Sequence, residues 1–148
     1  MDIILIAAVT LDGYIARSET DPMEWSQDLH LFKEQTMSYP LIMGSTTRSI
    51  LQKELVGREI ISVTRNDDPE KVIKSIKSDK CFIAGGGRTY ARFAKFVTHI
   101  YLTIHPFAFG SGIKLFHHLE EEIKVRFVKR ISVPGREGLY QDQYRVVI

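Results

Sequence analysis

Phe82-Ile83-Ala84-Gly85-Gly86-Gly87-Arg88-Thr89-Tyr90 is the stretch that decides the fold. An apolar run without alternation reads as a buried strand of a mostly parallel sheet, and the three glycines that follow remove every Cβ from the turn. Backbone can then approach a ligand closely. The residues after the turn predict a helix over 88–94, whose free N–H groups and dipole would face the glycines and favour an anion, most naturally a diphosphate. A tight β–α turn without a ligand carries the same signature, so the glycines alone leave both readings open.

Working outward, the 148 residues, 44% of them apolar, are enough for one core-bearing domain spanning 1–148. Net charge is +2 with both signs interspersed, which gives no electrostatic footprint for nucleic acid or a membrane surface. The single cysteine, Cys81, cannot form an intramolecular disulfide and reads as a small core residue, which fits a reducing cytoplasm. Ile3-Ile4-Leu5-Ile6-Ala7-Ala8-Val9 is too short to cross a bilayer and reads as a first, central strand.

Residues 10–25 mix Asp, Gly, Ser, Thr and Pro in a connection long enough to be a functional lid. Helix-like spacing begins near Ser26, puts Asp28 in the first turn and stops at Pro40. Leu41-Ile42-Met43 is a strand ended by Gly44, and 45–51 starts a second helix with a Ser or Thr cap. Ile60-Ile61-Ser62-Val63-Thr64 is the next strand. Asp68-Pro69-Glu70 opens a helix that buries Val72, Ile73 and Ile76. After Ile100-Tyr101-Leu102-Thr103-Ile104 the alternation of strand and helix gives way to two long strands around Pro134-Gly135-Arg136-Glu137-Gly138, an antiparallel edge pair.

In this order the motifs resemble the dihydrofolate reductase fold family over nearly the whole chain. The residues that carry the likeness are Asp28-Leu29-His30-Leu31-Phe32-Lys33, Pro40-Leu41-Ile42-Met43-Gly44, Thr47, Leu55, Gly57-Arg58, Thr64, the glycine turn and Tyr101-Leu102-Thr103. The resemblance implies an α/β three-layer fold, with a central mostly parallel sheet, an antiparallel C-terminal strand pair and helices on both faces. It also implies NADPH-dependent reduction of 7,8-dihydrofolate to tetrahydrofolate, with hydride passing from the nicotinamide to a C=N bond. Such a reduction needs a proton, and an acid in apolar surroundings has its charged form disfavoured, which suits it to supply one.

The resemblance assigns that role to Asp28, supported by Thr103. It puts Ile6, Ala8, Leu29, Phe32 and Ile50 around the substrate and has Arg58 clamp the folate carboxylate through its planar fork. On the cofactor side it implies Ala7, Ile15, Gly44, Ser45, Thr46, Thr47, Thr64, Arg65, Ala84, Gly85, Gly86, Gly87, Arg88, Thr89 and Tyr90, with a cis peptide at Gly85–Gly86.

Ser45 stands where the family commonly has an arginine for the 2′-phosphate, so Arg65 or Arg48 is expected to supply that charge. Leu11-Asp12-Gly13-Tyr14-Ile15-Ala16 and Pro106-Phe107-Ala108-Phe109-Gly110-Ser111-Gly112 resemble instead the reductases of riboflavin biosynthesis. A ribosylamino-pyrimidine reductase, or a nucleotide-binding module without catalysis, are therefore the alternatives. Site residues and not fold decide between substrates, and Asp28 with Arg58 favours dihydrofolate. The five histidines, His105 among them, lack metal-ligand spacing and read as solvated surface; no metal is expected. The sequence leaves monomer and homodimer equally open.

Overall fold

The computed structural model describes the backbone of residues 1–148 and every side chain except those of Lys53 and Glu54. In chain order the elements are β1 (Asp2–Val9), β2 (Tyr14–Ala16), α1 (Leu29–Thr36), β3 (Leu41–Gly44), α2 (Ser45–Ile50), β4 (Ile60–Val63), α3 (Pro69–Ser75), β5 (Lys80–Ile83), α4 (Gly87–Phe93), β6 (His99–Ile104), β7 (Ile113–Lys114), β8 (Lys124–Ser132) and β9 (Tyr140–Val147). Short 3-10 turns cover Gln52–Leu55 and Ala94–Phe96.

Seven strands make one sheet in the order β4-β3-β5-β1-β6-β9-β8. From β4 to β6 the pairing is parallel, and β9 and β8 then add antiparallel, as the switch in pattern after residue 124 predicts. The unbroken apolar run of β1 is explained by its place: it pairs on both edges and is covered on both faces. Its alternate residues serve two cores. Ile3, Leu5, Ala7 and Val9 join Ile83, Tyr90 and Phe93 under α3 and α4. Ile4 and Ile6 join Met43, Phe82, Ala84 and Leu55, with Phe32 of α1 packed against them. No helix among the described residues is long and apolar enough to cross a membrane.

Several local expectations are corrected. Helix α1 begins at Leu29, and Asp28 is its N-cap and not a first-turn residue, because the Asp28 carbonyl accepts the first helical hydrogen bond, from the Phe32 N–H at 3.0 Å. Helix α2 is capped by Gly44 in extended conformation, with no Ser or Thr side chain bonding the free amides. The 88–94 helix starts one residue early, at Gly87. Residues 10–25 are no simple loop, since β2 pairs antiparallel with β7 in a second, two-stranded sheet. His105 is not solvated: it is fully buried. By contrast Asp68 caps α3 as read, accepting from the Glu70 N–H at 3.0 Å, and Cys81 is a buried core thiol.

The connections that flank the sheet's carboxyl ends are laced together by carboxylates and rings. Asp12 accepts from the Thr10 hydroxyl at 2.5 Å and from the amides of Phe109 at 3.2 Å and Gly110 at 2.8 Å, so the turn after β1 grips the loop after β6. The Thr10 bond, aided by those amides, holds the Asp12 carboxyl below its ordinary value. Trp25 meets His105, Phe107 and Phe109 edge-on at 5.1, 5.7 and 5.3 Å, and the Arg17 guanidinium lies 4.5 Å over the Phe109 ring. Asp21, buried, accepts from the amides of Arg17 at 2.7 Å and Met23 at 2.8 Å. Burial pushes the Asp21 carboxyl upward, but these bonds outweigh it and leave the group below its ordinary value of 3.8.

Two outcomes follow for stability. Phe93 is fully buried between α4 and the sheet, so Phe93→Ala should cost about 3–5 kcal/mol in urea unfolding, whereas Val56→Ala, on an exposed side chain, should stay within about 0.5 kcal/mol. Because the folded Asp21 carboxyl is the more acidic, its contribution is complete above the unfolded value and is lost as pH falls through the lower folded one. Asp21→Asn should therefore lower stability by about 1–2 kcal/mol near neutral pH. Thermal melts should show wild type and variant converging below about pH 4.

Candidate active site

Two glycine-containing strand ends build one side of the site. The Gly44 N–H donates to the Gly85 carbonyl at 2.9 Å, which ties the end of β3 to the end of β5 and sets the starts of α2 and α4 side by side. The Gly85–Gly86 peptide is cis, as the resemblance implies. Gly85 has φ +119°, and a Cβ there would lie 3.2–3.3 Å from the Thr47 side chain. At Gly87 a Cβ would meet the Lys114 carbonyl at 2.5 Å, so the β7 segment closes directly over the first turn of α4. Thr47 and Thr89 both face this junction: a Cβ on Gly44 would touch Thr89 Oγ1 at 3.0 Å, and one on Gly86 would touch Thr47 Oγ1 at 3.4 Å.

Beside this junction Ser45, Thr46 and Ile50 line an open crevice of about 390 Å³ together with Glu19, Thr20 and Ser49. The last three were missed in the sequence, where the only signal was the length of the connection that carries Glu19 and Thr20.

The other side of the site is polar and buried. Asp28, 7% exposed, accepts from the Ser26 hydroxyl through Oδ1 at 2.9 Å; its Oδ2 has no hydrogen-bond partner among the described residues. Thr103 is fully buried, and its hydroxyl has no partner among them either. Across the sheet Thr103 sits in register between Ala8 of β1 and Gln141 of β9. Gln141 in turn exchanges two amide bonds with Gln35 of α1, at 2.8 and 2.9 Å, and accepts from Gln143 at 3.0 Å. Tyr90 donates to the Ile6 carbonyl at 2.6 Å. Burial, reinforced by the charge of Asp28, pushes its hydroxyl far above the ordinary tyrosine value, so the proton stays on the oxygen.

Arg58 closes the far end of α1. Its Nε donates to Thr36 Oγ1 at 3.3 Å, and Nη2 and Nη1 donate to the carbonyls of Lys33 at 2.5 Å and Val56 at 3.3 Å. Three of its five N–H groups are thus engaged by the helix end and the loop, which fixes the plane of the fork.

The fold therefore gathers Gly44, Thr47, Gly85, Gly86, Gly87 and Thr89 at one junction, and Ile6, Phe32 and Ala84 in one apolar cluster. Leu29 is half-buried at the start of α1. Ala7 and Ile15 lie in the other core, packed with Tyr90 and Phe93. Thr64, Arg65 and Arg88 are exposed. The Thr64 amide and hydroxyl are both taken by the Asp67 carboxylate at 2.7 and 3.3 Å, and Arg92 donates to the Thr64 and Asp67 carbonyls. No group of three or more His, Cys, Asp or Glu side chains that could hold a metal exists among the described residues.

Comparison with known proteins agrees with this architecture. The type 3 dihydrofolate reductase of Salmonella typhimurium is 30% identical over 115 residues, covering 70% of this chain and 71% of the relative. Dihydrofolate reductase from Enterococcus faecalis, solved with NADP(H) and RAB-propyl, superposes with a TM-score of 0.77 at 21% identity, over 98% of this chain and 96% of that one. A candidate riboflavin biosynthesis protein from Shewanella sp. PV-4 superposes with a TM-score of 0.71 at 18% identity over the full length of both. The family model for dihydrofolate reductase matches residues 2–121, and the chain belongs to that family.

Proposed function

We propose that this protein reduces 7,8-dihydrofolate to tetrahydrofolate with NADPH, in a reducing compartment such as the cytoplasm. The observation that carries the reading is the pair of buried polar atoms with no partner among the described residues, the Thr103 hydroxyl and Trp25 Nε1, both on residues that meet His105, in the segment that leads into the buried Asp28 carboxylate. A buried polar atom left unpaired costs about 1–3 kcal/mol, so two such groups in one region are best explained by a polar ligand that completes them. A pterin ring, with adjacent donors and acceptors on one edge, has that chemistry.

The residues at the glycine junction fit the cofactor. Gly85 and Gly86 leave no side chain between the backbone and a ligand, and the Thr47 and Thr89 hydroxyls face the same space. With Gly44, Ser45, Thr46, Gly87 and Arg88 they would hold the diphosphate; Ala7, Ile15, Ala84 and Tyr90 would border the nicotinamide end. Arg65, exposed beside Thr64, would meet the 2′-phosphate. NADPH supplies a hydride when bound. The protein's own part is to hold Asp28 where its carboxyl group hydrogen-bonds the pterin and favours protonation of the ring nitrogen beside the reduced carbon. Ile6, Ala8, Leu29, Phe32 and Ile50 supply the walls that exclude water, and Tyr90 fixes the strand that carries Ile6. Arg58, its plane set by α1, offers the remaining N–H groups to the substrate's terminal carboxylate.

The loop phrases shared with riboflavin-pathway reductases have a structural use in this chain. Asp12 accepts from the amides of Phe109 and Gly110, which gives both phrases a part in holding these two loops together.

Two variants test the assignment. Asp28→Asn should lower NADPH-dependent dihydrofolate turnover by about a hundredfold or more, read as loss of NADPH absorbance, with cofactor affinity unchanged. Turnover equal to wild type would remove Asp28 from the chemistry. Arg58→Leu should raise the KM for dihydrofolate by roughly ten- to a hundredfold, the worth of a charge-assisted bond, and leave the NADPH constant alone; equal losses for both ligands would refute its role.

A further inference from the structure

His105 is a buried titratable group that the reading above does not use. It lies just past β6, is fully buried, and bridges two segments that carry the proposed chemistry. Its Nε2 accepts from the Gln27 N–H at 3.0 Å, and its Nδ1 lies 3.0 Å from the Thr103 carbonyl. A carbonyl can only accept, so Nδ1 must carry the proton, and Nε2, taking a backbone amide proton, must lack one. The ring is therefore neutral and held in a single tautomer by two backbone groups. Trp25 packs edge-on against it at 5.1 Å, so two of the three residues before Asp28 rest on this side chain. The third, Ser26, donates directly to the Asp28 carboxylate at 2.9 Å.

Asp28 has no side-chain capping bond of its own, and its φ of −113° and ψ of 17° lie outside the helix, so the position of its carboxylate is set by the chain that leads into it. That chain is anchored by His105. We propose that His105 is a positioning residue for Asp28, fixing the distance between the Asp28 carboxylate and the Thr103 hydroxyl by tying Gln27 to the strand that carries Thr103. The functional half of this proposal rests on the dihydrofolate reading; the geometric half does not.

The bond can be removed from either side. His105→Leu deletes the acceptor, Gln27→Pro deletes the donor, and His105→Gln retains a side-chain acceptor for the Gln27 amide. Misplacing a reacting group by a fraction of an ångström to an ångström costs up to about a hundredfold. His105→Leu and Gln27→Pro should therefore each lower kcat for dihydrofolate by roughly ten- to a hundredfold, with NADPH affinity within about twofold of wild type. The double variant should fall no further, since both changes break the same contact, and His105→Gln should recover most of the rate. In parallel, hydrogen exchange of the Gln27 amide should accelerate in His105→Leu and be protected again in His105→Gln, and ¹⁵N spectra of wild type should show the proton on Nδ1.

A wild-type kcat in His105→Leu, additive losses in the double variant, or cofactor affinity falling in step with kcat would overturn the positioning role. An unprotected Gln27 amide in wild type would overturn the geometry. If wild-type protein leaves dihydrofolate unreduced, the functional reading fails, and the exchange and ¹⁵N measurements still decide whether His105 anchors the Asp28 segment.

Discussion

The bond from the Gly44 amide to the Gly85 carbonyl, 2.9 Å long, is the constraint on which the rest of the site depends. It brings two strand ends so close that neither can carry an ordinary side chain without moving a threonine. Both strands then turn into helices from the same spot, and the polar groups around it, Thr47 and Thr89, come from different elements held by one backbone contact. A different β3–β5 register would separate them. The Leu41↔Phe82 and Ile42↔Ile83 pairings thus do more than add sheet hydrogen bonds, because they fix where the two glycine turns meet.

Topology accounts for the opening next to that contact. β1 and β5 are neighbours, yet β1 leads to α1, which packs on the Ile4–Ile6 face, and β5 leads to α4, which packs on the Leu5–Ala7 face. Connections that leave adjacent parallel strands toward opposite faces leave a gap at the carboxyl ends, the place where open α/β sheets bind ligands. Into that gap project the ends of β1 and β5 and the start of α1, and with them the Ile6–Tyr90 bond and Asp28. The carboxylates of Asp12 and Asp21 and the rings around Trp25 hold the flanking loops in place.

Much of this was legible in the sequence because it is local. Unbroken apolar runs gave the parallel strands, Asp68-Pro69-Glu70 gave a helix start, and three glycines gave the turn. The parts that were not legible depend on contacts far apart in the chain. β2 and β7 are three and two residues long and exist only because they pair with each other across some hundred positions. His105 follows a strand and precedes a proline, a context that usually means surface. Inside the fold its Nε2 accepts from the Gln27 amide, 78 residues earlier. Asp28 was legible as a residue of interest but not as a cap, since spacing does not reveal which carbonyl accepts the first helical bond. Arg58 was expected to face a ligand; its three bonds to the end of α1 and the adjoining loop could not be read from Gly57-Arg58.

Those bonds give α1 a second meaning. An acid stands at its N-terminus and a guanidinium at its C-terminal carbonyls, so each charge lies at the end of the helix dipole that favours it. Eight residues at 1.5 Å each make the helix between them about 12 Å long, a length set by helix geometry and not by flexible side chains. On the proposed reading the helix acts as a ruler, engaging a heteroaromatic ring at Asp28 and an anionic tail at Arg58. A substrate with the ring but no distal acid would satisfy one end and leave the Arg58 fork unused. On that reading discrimination among pterins would rest on the far end of α1, with the reductive chemistry at the near one.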